Sequence, residues 1–263
     1  MTLRELFQSG ELTVGGWCGI PSAFSAELMG RSGFDWVCID TQHGLIGYDQ
    51  TTTMLQAISL TGTPAFVRVP WNQPDHMMKA LDAGAQGIVV PMVNNAEDAR
   101  RAVDYVRYPP AGTRSWGPIR AALEVDGYSP QVGNDRTILA AMIETPDGVR
   151  NMDEIMQVEG VDAIYIGPSD LALGHGLTPT LRAPEGSEHE RLILSILEGC
   201  KRNGVTPGIH TDGVETAQRW VQAGFRMITV VSDAAVLRAS ATKAVTDLRG
   251  VAQVAASGGS QYA

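Results

Sequence analysis

Short apolar runs alternate with amphipathic segments along almost the whole chain. The runs fall near residues 13–18, 35–40, 64–69, 87–93, 137–144, 162–167, 206–210 and 226–232. Runs this short and this apolar predict strands buried on both faces. Between them, apolar residues recur at helical spacing, as at Ala99, Val103 and Val106, and predict helices with one buried face. Start signals agree: Thr145 stands before Pro146, and Asn95 before Ala96-Glu97-Asp98. Glycines close helical segments just ahead of strands at Gly84, Gly160, Gly204 and Gly224. Eight strands alternating with eight helices in 263 residues predict one closed (β/α)8 TIM barrel, a fold of about 250 residues, over 1–254. A doubly wound open sheet is the alternative, but no GxGxxG follows the first run. One connection breaks the rhythm. Residues 108–136, rich in Gly and Pro, form a long insertion, read either as a functional loop or as packing against a neighbouring subunit. The last stretch, AASGGSQYA (255–263), is expected to be disordered.

Barrel sites form where strands end and lead into the next helix, so those positions carry the candidate chemistry. The second run ends in Asp40-Thr41-Gln42-His43, the third in Arg68, the fifth in Glu144, and the sixth leads into Ser169-Asp170. His210 and Ser232 close the seventh and eighth. A single acid at such a place caps a helix about as often as it does chemistry. Glu144 and Asp170 are different: one strand–helix–strand unit apart, they arrive at the same edge of the sheet, and Glu is a poor cap. A buried carboxylate is costly unless something compensates it, and a divalent cation would. Asp40 ends the apolar WVCID and needs a partner, either Arg68 or metal-bound water. Arg68 within VRVP needs an anion. His43, beside these acids, reads as a base and His210 as a residue behind the site, while His76, His175 and His189 are expected to be solvated. Trp17, in the first run, and Ser169 join Arg68 and Asp170 as candidate substrate contacts. A cation held by two carboxylates keeps room for a bidentate 2-oxo acid and can act as Lewis acid for its enolate. Arg68 would hold the oxyanion, and backbone N–H groups at the Pro168–Asp170 turn the carboxylate.

Composition narrows the field. A net charge of −9 without a Lys/Arg block argues against nucleic acid. The N-terminus lacks an apolar signal core and no run approaches the roughly 18 apolar residues of a membrane span, so a cytoplasmic protein without a membrane partner is expected. The three cysteines show no zinc spacing, and Cys18 and Cys38 read as small buried hydrophobes. All three lysines, Lys79, Lys201 and Lys243, fall in helical patterns, which disfavours an imine mechanism. HTDGVE and VSDAAV lack the glycine-rich cradle that holds a phosphate in many barrels.

Several segments together carry a resemblance: DWVCIDTQHG (35–44), FVRVPW (66–71), KALDAGAQGIVVPMVNNAEDA (79–99), RYPPAGTRS (107–115), MIET (142–145) and GVDAIYIGPSDLALGHG (160–176). From about residue 12 to 240 the chain resembles the HpcH/HpaI family of class II, pyruvate-dependent aldolases, typified by 4-hydroxy-2-oxoheptanedioate aldolase. The resemblance implies a barrel whose last helix is exchanged between subunits of a hexamer, a trimer of dimers. It also implies reversible cleavage of 4-hydroxy-2-oxo acids to pyruvate and an aldehyde. By motif, Glu144 and Asp170 become ligands of Mg2+ or Mn2+, with Co2+ or Zn2+ as substitutes, and Arg68 stabilises the oxyanion. Asp40 and His43 organise proton transfer through a water near the metal, and Asp82 reaches a neighbouring site to orient its histidine. The chain departs from the common pattern at Gln42 (DTQHG for DGEH), Met142 and His175, none of which is a metal ligand. The DTQHGL form is similar to members that accept hydroxypyruvate as donor. Oxaloacetate decarboxylation at the same site is the alternative activity, and a barrel with an inherited but silent site the non-enzymatic one. A citrate-lyase-type reaction on a CoA thioester would call for a basic nucleotide surface that the composition does not suggest.

Overall fold

The structure is a computed structural model that describes residues 3–258. Eight parallel strands close in sequential order into a barrel, with β8 hydrogen-bonded back to β1. The first half runs α1 (Leu3–Ser9), β1 (Thr13–Cys18), α2 (Ala23–Gly30), β2 (Trp36–Asp40), α3 (Tyr48–Ser59), β3 (Ala65–Arg68), α4 (Pro74–Asp82), β4 (Gly87–Val90) and α5 (Ala96–Val106). After α6 (Ala121–Glu124) and α7 (Pro130–Arg136) come β5 (Ile138–Met142), α8 (Pro146–Arg150), α9 (Met152–Met156) and β6 (Ala163–Ile166). The chain ends with α10 (Pro168–Gly174), α11 (Glu188–Asn203), β7 (Thr206–His210), α12 (Val214–Ala223), β8 (Met227–Ser232) and α13 (Asp233–Gly258). Each predicted strand is present within a few residues. The helices outnumber the simple alternation because α1 lies below the barrel, α6 and α7 fold within the insertion, and the β5–β6 and β6–β7 connections each carry two helices.

Side-chain alternation sorts the strands into two cores. Outward residues such as Val37, Ile39, Val67, Ile88 and Ile164 pack beneath the helices. Inward residues Trp36, Cys38, Phe66, Ala140, Ala163 and Met227 fill the barrel, and Leu3 and Phe7 of α1 close its lower end. Two glycines make room for the largest of these. A Cβ on Gly15 would lie 2.2 Å from Trp36, its register partner, and one on Gly87 2.1 Å from Phe66, likewise its partner. Helix starts follow the expected chemistry: Asn95 accepts the Asp98 N–H and Thr145 the Gly148 N–H. Gly84, Gly160, Gly204 and Gly224 all take positive φ where helices turn back into strands.

The insertion packs onto its own chain. Arg114, with a side chain only 1% exposed, bonds Asp82 at 2.6 Å and lies 4.3 Å over the Tyr108 ring. Trp116 leans on Tyr108 and Tyr128. Helix α13 behaves differently. Asp233 anchors its start by accepting the Gly19 N–H at 2.8 Å and the Ser25 hydroxyl at 2.9 Å. Residues 234–249 are then exposed on every face, so the helix leaves the barrel rather than covering it. It continues to Gly258, into the segment 255–263 expected to be disordered, of which 259–263 lie outside the described residues. No described helix is long and apolar enough to cross a membrane.

Candidate active site

Two-residue alternation carries the inward face past the ends of the strands. Cys38 points in, so Asp40 follows; Phe66 leads to Arg68, Met142 to Glu144 and Tyr165 to Gly167. A cavity of about 260 Å3 results at this end, lined by Trp17, Asp40, His43, Arg68, Ser169 and Asp170. These were all candidates from sequence. Met142, Tyr165, Gly167, Leu181, His210 and Ser232 complete its wall.

Asp40 and Arg68 form a two-toothed pair. Arg68 Nε donates to Oδ1 at 2.9 Å and Nη2 to Oδ2 at 2.5 Å. Asp40 also accepts the Trp17 indole N–H at 3.1 Å and the backbone N–H groups of Gln42 and His43 at 3.1 and 3.2 Å. Burial pushes the Asp40 carboxyl up, but the Arg68 hydrogen bonds and charge outweigh it and hold it below its usual range. Desolvation alone would lower the Arg68 value, yet the same pairing raises it. Both groups therefore stay charged, with the guanidinium 5.0 Å from the Trp17 ring centre and its Nη1 left without a partner among the described residues. Of the two partners considered for Asp40, the chain supplies Arg68. Asp40 meets His43 only through the backbone, which positions the 41–44 turn, and the His43 side chain stands exposed at the rim.

Glu144 is a buried carboxylate with too few partners. It is 2% exposed; Oε1 accepts the Met92 N–H at 2.9 Å, and Oε2 is buried without a partner. Met92 holds that N–H in place from a left-handed conformation (φ 57), the only one among the described non-glycine residues. Burial pushes the Glu144 carboxyl up to about 7; the Met92 N–H pulls it down, and the nearby Asp170 charge adds to the rise. Gly167 gives the orphan oxygen its space, since a Cβ there would sit 2.4 Å from Oε2. Asp170 follows in the first turn of α10. An unpaired carboxylate oxygen beside a second carboxylate fits a hard divalent cation, which takes oxygen ligands. Among the described residues no group of three or more His, Cys, Asp or Glu gathers as a metal cluster, so protein ligation would rest on these two acids.

Three residues were missed or undervalued. Tyr165 OH lies 3.2 Å from His210 Nδ1 and 2.5 Å from Thr229 Oγ1, and His210 stands edge-on to Trp17 with ring centres 4.9 Å apart. Burial pushes His210 down to about 4, helped by the Arg68 charge, so the imidazole is neutral at physiological pH. His210 thus forms part of the cavity wall itself. The signal was available: Tyr165 and His210 occupy inward positions of their strands. Asp82 is not brought here within one chain. It ends α4 at the opposite end of the barrel, paired with Arg114, where burial raises its carboxyl against the pull of that arginine. His189, expected in solvent, is 3% exposed.

Residues 14–240 match the family model described as HpcH/HpaI aldolase/citrate lyase. The hydroxypyruvate/pyruvate aldolase of Rhizorhabdus wittichii is 37% identical over 94% of this chain and 98% of its own. The 4-hydroxy-2-oxo-heptane-1,7-dioate aldolase of Escherichia coli is 35% identical, over 91% and 92%. Among solved structures, an HpcH/HpaI aldolase/citrate lyase family protein of Burkholderia cenocepacia superposes with a TM-score of 0.87 at 30% identity, over 94% of this chain and 98% of its own. With a barrel of that shape, a paired arginine and two carboxylates at its rim, and a match across most of its length, the chain belongs to the HpcH/HpaI aldolase/citrate lyase family.

Proposed function

We propose that this carbon–carbon lyase is a divalent-metal-dependent class II aldolase. It reversibly cleaves 4-hydroxy-2-oxo acids to an aldehyde and pyruvate or hydroxypyruvate. The observation that carries the reading is the buried, partnerless Oε2 of Glu144 beside Asp170. Magnesium or manganese held by these two acids, with cobalt or zinc as substitutes, would supply Lewis-acid polarisation of the 2-oxo group. The names of the relatives support the substrate class.

The chain's own groups account for the remaining chemistry. The substrate carboxylate is received by the Ser169 and Asp170 N–H groups at the start of α10. In the cleavage direction the C4 hydroxyl gives its proton to His43, exposed at the rim, and the C3–C4 bond breaks. The aldehyde departs, the bonding pair becomes the enolate of the 2-oxo acid, and the proton taken up by His43 is returned, by way of water, to C3. Arg68 holds the enolate oxygen through its free Nη1, and Asp40 keeps the guanidinium aimed and charged. Oxaloacetate decarboxylation would pass through the same enolate and use the same arginine. The exposed α13, with Val236, Leu237 and Val245 in solvent, supports exchange of that helix between subunits of a hexamer. In that assembly Asp82 would serve a neighbour's histidine.

The test is exchange of pyruvate methyl protons in heavy water, followed by NMR. Exchange is expected with magnesium and should stop when chelator is added. If neither pyruvate nor hydroxypyruvate exchanges with any divalent ion, the reading fails.

A further inference from the structure

We infer that His210 is a specificity-determining residue that recognises a hydroxyl group on the substrate, with Tyr165 and Thr229 positioning it. The inference rests on the aldolase reading and deepens it, by naming short hydroxylated carbonyl compounds as the substrate class.

His210 lies in the wall of the cavity, and only one of its ring nitrogens is engaged. Nδ1 meets Tyr165 OH at 3.2 Å, and that hydroxyl is tied to Thr229 Oγ1 at 2.5 Å. Among the described residues Nε2 has no partner. The ring packs edge-on against Trp17 with centres 4.9 Å apart, and the Trp17 indole N–H donates to Asp40. The imidazole is neutral, so Nε2 is not a charged contact for a carboxylate. Its hydrogen-bonding sense depends on the Tyr165 proton. If Tyr165 donates to Thr229, Nδ1–H donates to Tyr165 and Nε2 accepts. If Tyr165 donates to Nδ1, Nε2–H donates. A hydroxyl satisfies either arrangement, being donor and acceptor at once, whereas a methyl group satisfies neither.

The electrostatics point the same way. Arg68 is the one permanent cation among the lining residues named above, and it is already paired with Asp40. Among these lining residues a second substrate carboxylate would find no cation that is not already committed, since the Arg68 charge is held by Asp40. Ser232, also on the wall, is neutral and polar. A small neutral hydroxylated partner matches this lining better than a second acid does.

The hydroxyl has two possible sources, the donor or the aldehyde, and the experiment separates them. In one arm kcat/KM is measured for hydroxypyruvate and for pyruvate, each with formaldehyde. In the other it is measured for glycolaldehyde and for acetaldehyde, each with pyruvate. In His210→Phe, which keeps a ring against Trp17, the preference for the hydroxylated compound should fall roughly 10- to 100-fold in one arm. The arm that changes identifies the source. Tyr165→Phe leaves the imidazole but removes its anchor; a smaller fall in the same arm is expected, and it is the readout should His210→Phe not fold. If a folded variant keeps both ratios at wild-type values, His210 is structural and the inference is overturned. No turnover of any pair by the wild-type protein would overturn the aldolase reading, and this inference with it.

Discussion

Replacing Glu144 by glutamine should stabilise the metal-free protein at pH 8. Burial lifts this carboxyl from 4.5 to about 7, so ionising it in the fold costs about 3 kcal/mol more than in the unfolded chain, at about 1.4 kcal/mol per pH unit. The sign follows from which state holds the proton. Between 4.5 and about 7 the folded protein keeps it and the unfolded chain has released it. Stability from this group is therefore full at low pH and is lost as pH rises through the folded value. Glutamine removes that loss and keeps an oxygen for the Met92 N–H. An amide left unpaired where Oε2 now lies offsets part of the gain, leaving about 1–2 kcal/mol. For a domain of this size that is roughly 2–8 °C in Tm. Thermal melts in chelator at pH 5, 6, 7 and 8, on wild type and E144Q, read it directly. The E144Q advantage should be largest at pH 8 and gone at pH 5. Manganese should raise the wild-type Tm by mass action and leave E144Q unmoved. A Tm for E144Q below wild type at pH 8, or a gap independent of pH, would refute the account of Glu144 as an uncompensated buried carboxylate.

Other substitutions probe the rest of the site and the barrel that holds it. Gly167→Ala should keep the fold but lose manganese binding by calorimetry, because the new Cβ would fall 2.4 Å from Glu144 Oε2; unchanged affinity would mean that Oε2 is not a ligand. Arg68→Lys keeps the charge but not the two-toothed grip on Asp40, and kcat should drop about 10²- to 10³-fold, the scale of a lost oxyanion donor. Near-wild-type turnover of that variant would remove the guanidinium from the mechanism. Gly87→Ala puts a Cβ 2.1 Å from the Phe66 ring and should cost about 1–3 kcal/mol in denaturant unfolding, with no cost arguing against that layer of the core.

Most of the architecture is written in local pattern. The runs ending in Asp40, Arg68 and Glu144 alternate with capped helices, and that alternation demands a parallel sheet with those ends on one edge, which the structure closes into a barrel. Glu144, Asp170, Arg68, Asp40 and His43 were legible because each is a polar residue at the end of an apolar run. Tyr165 was less so, since a tyrosine within AIYI reads as core, and only the strand's two-residue alternation turns it toward the cavity.

What the sequence by itself determined is the set of elements, the rim and the acids on it, because these depend on periodicity and on the cost of burying charge. Only the tertiary structure decided who meets whom. It gave Asp40 to Arg68, left Glu144 Oε2 without a partner, and joined Tyr165 to His210, 45 positions away along the chain, and to Thr229, 64 positions away. It also sent Asp82 to Arg114 at the opposite end of the barrel. Such pairings come from closing the sheet, which sets strand register and side-chain direction across long separations, and no window of local sequence contains that information.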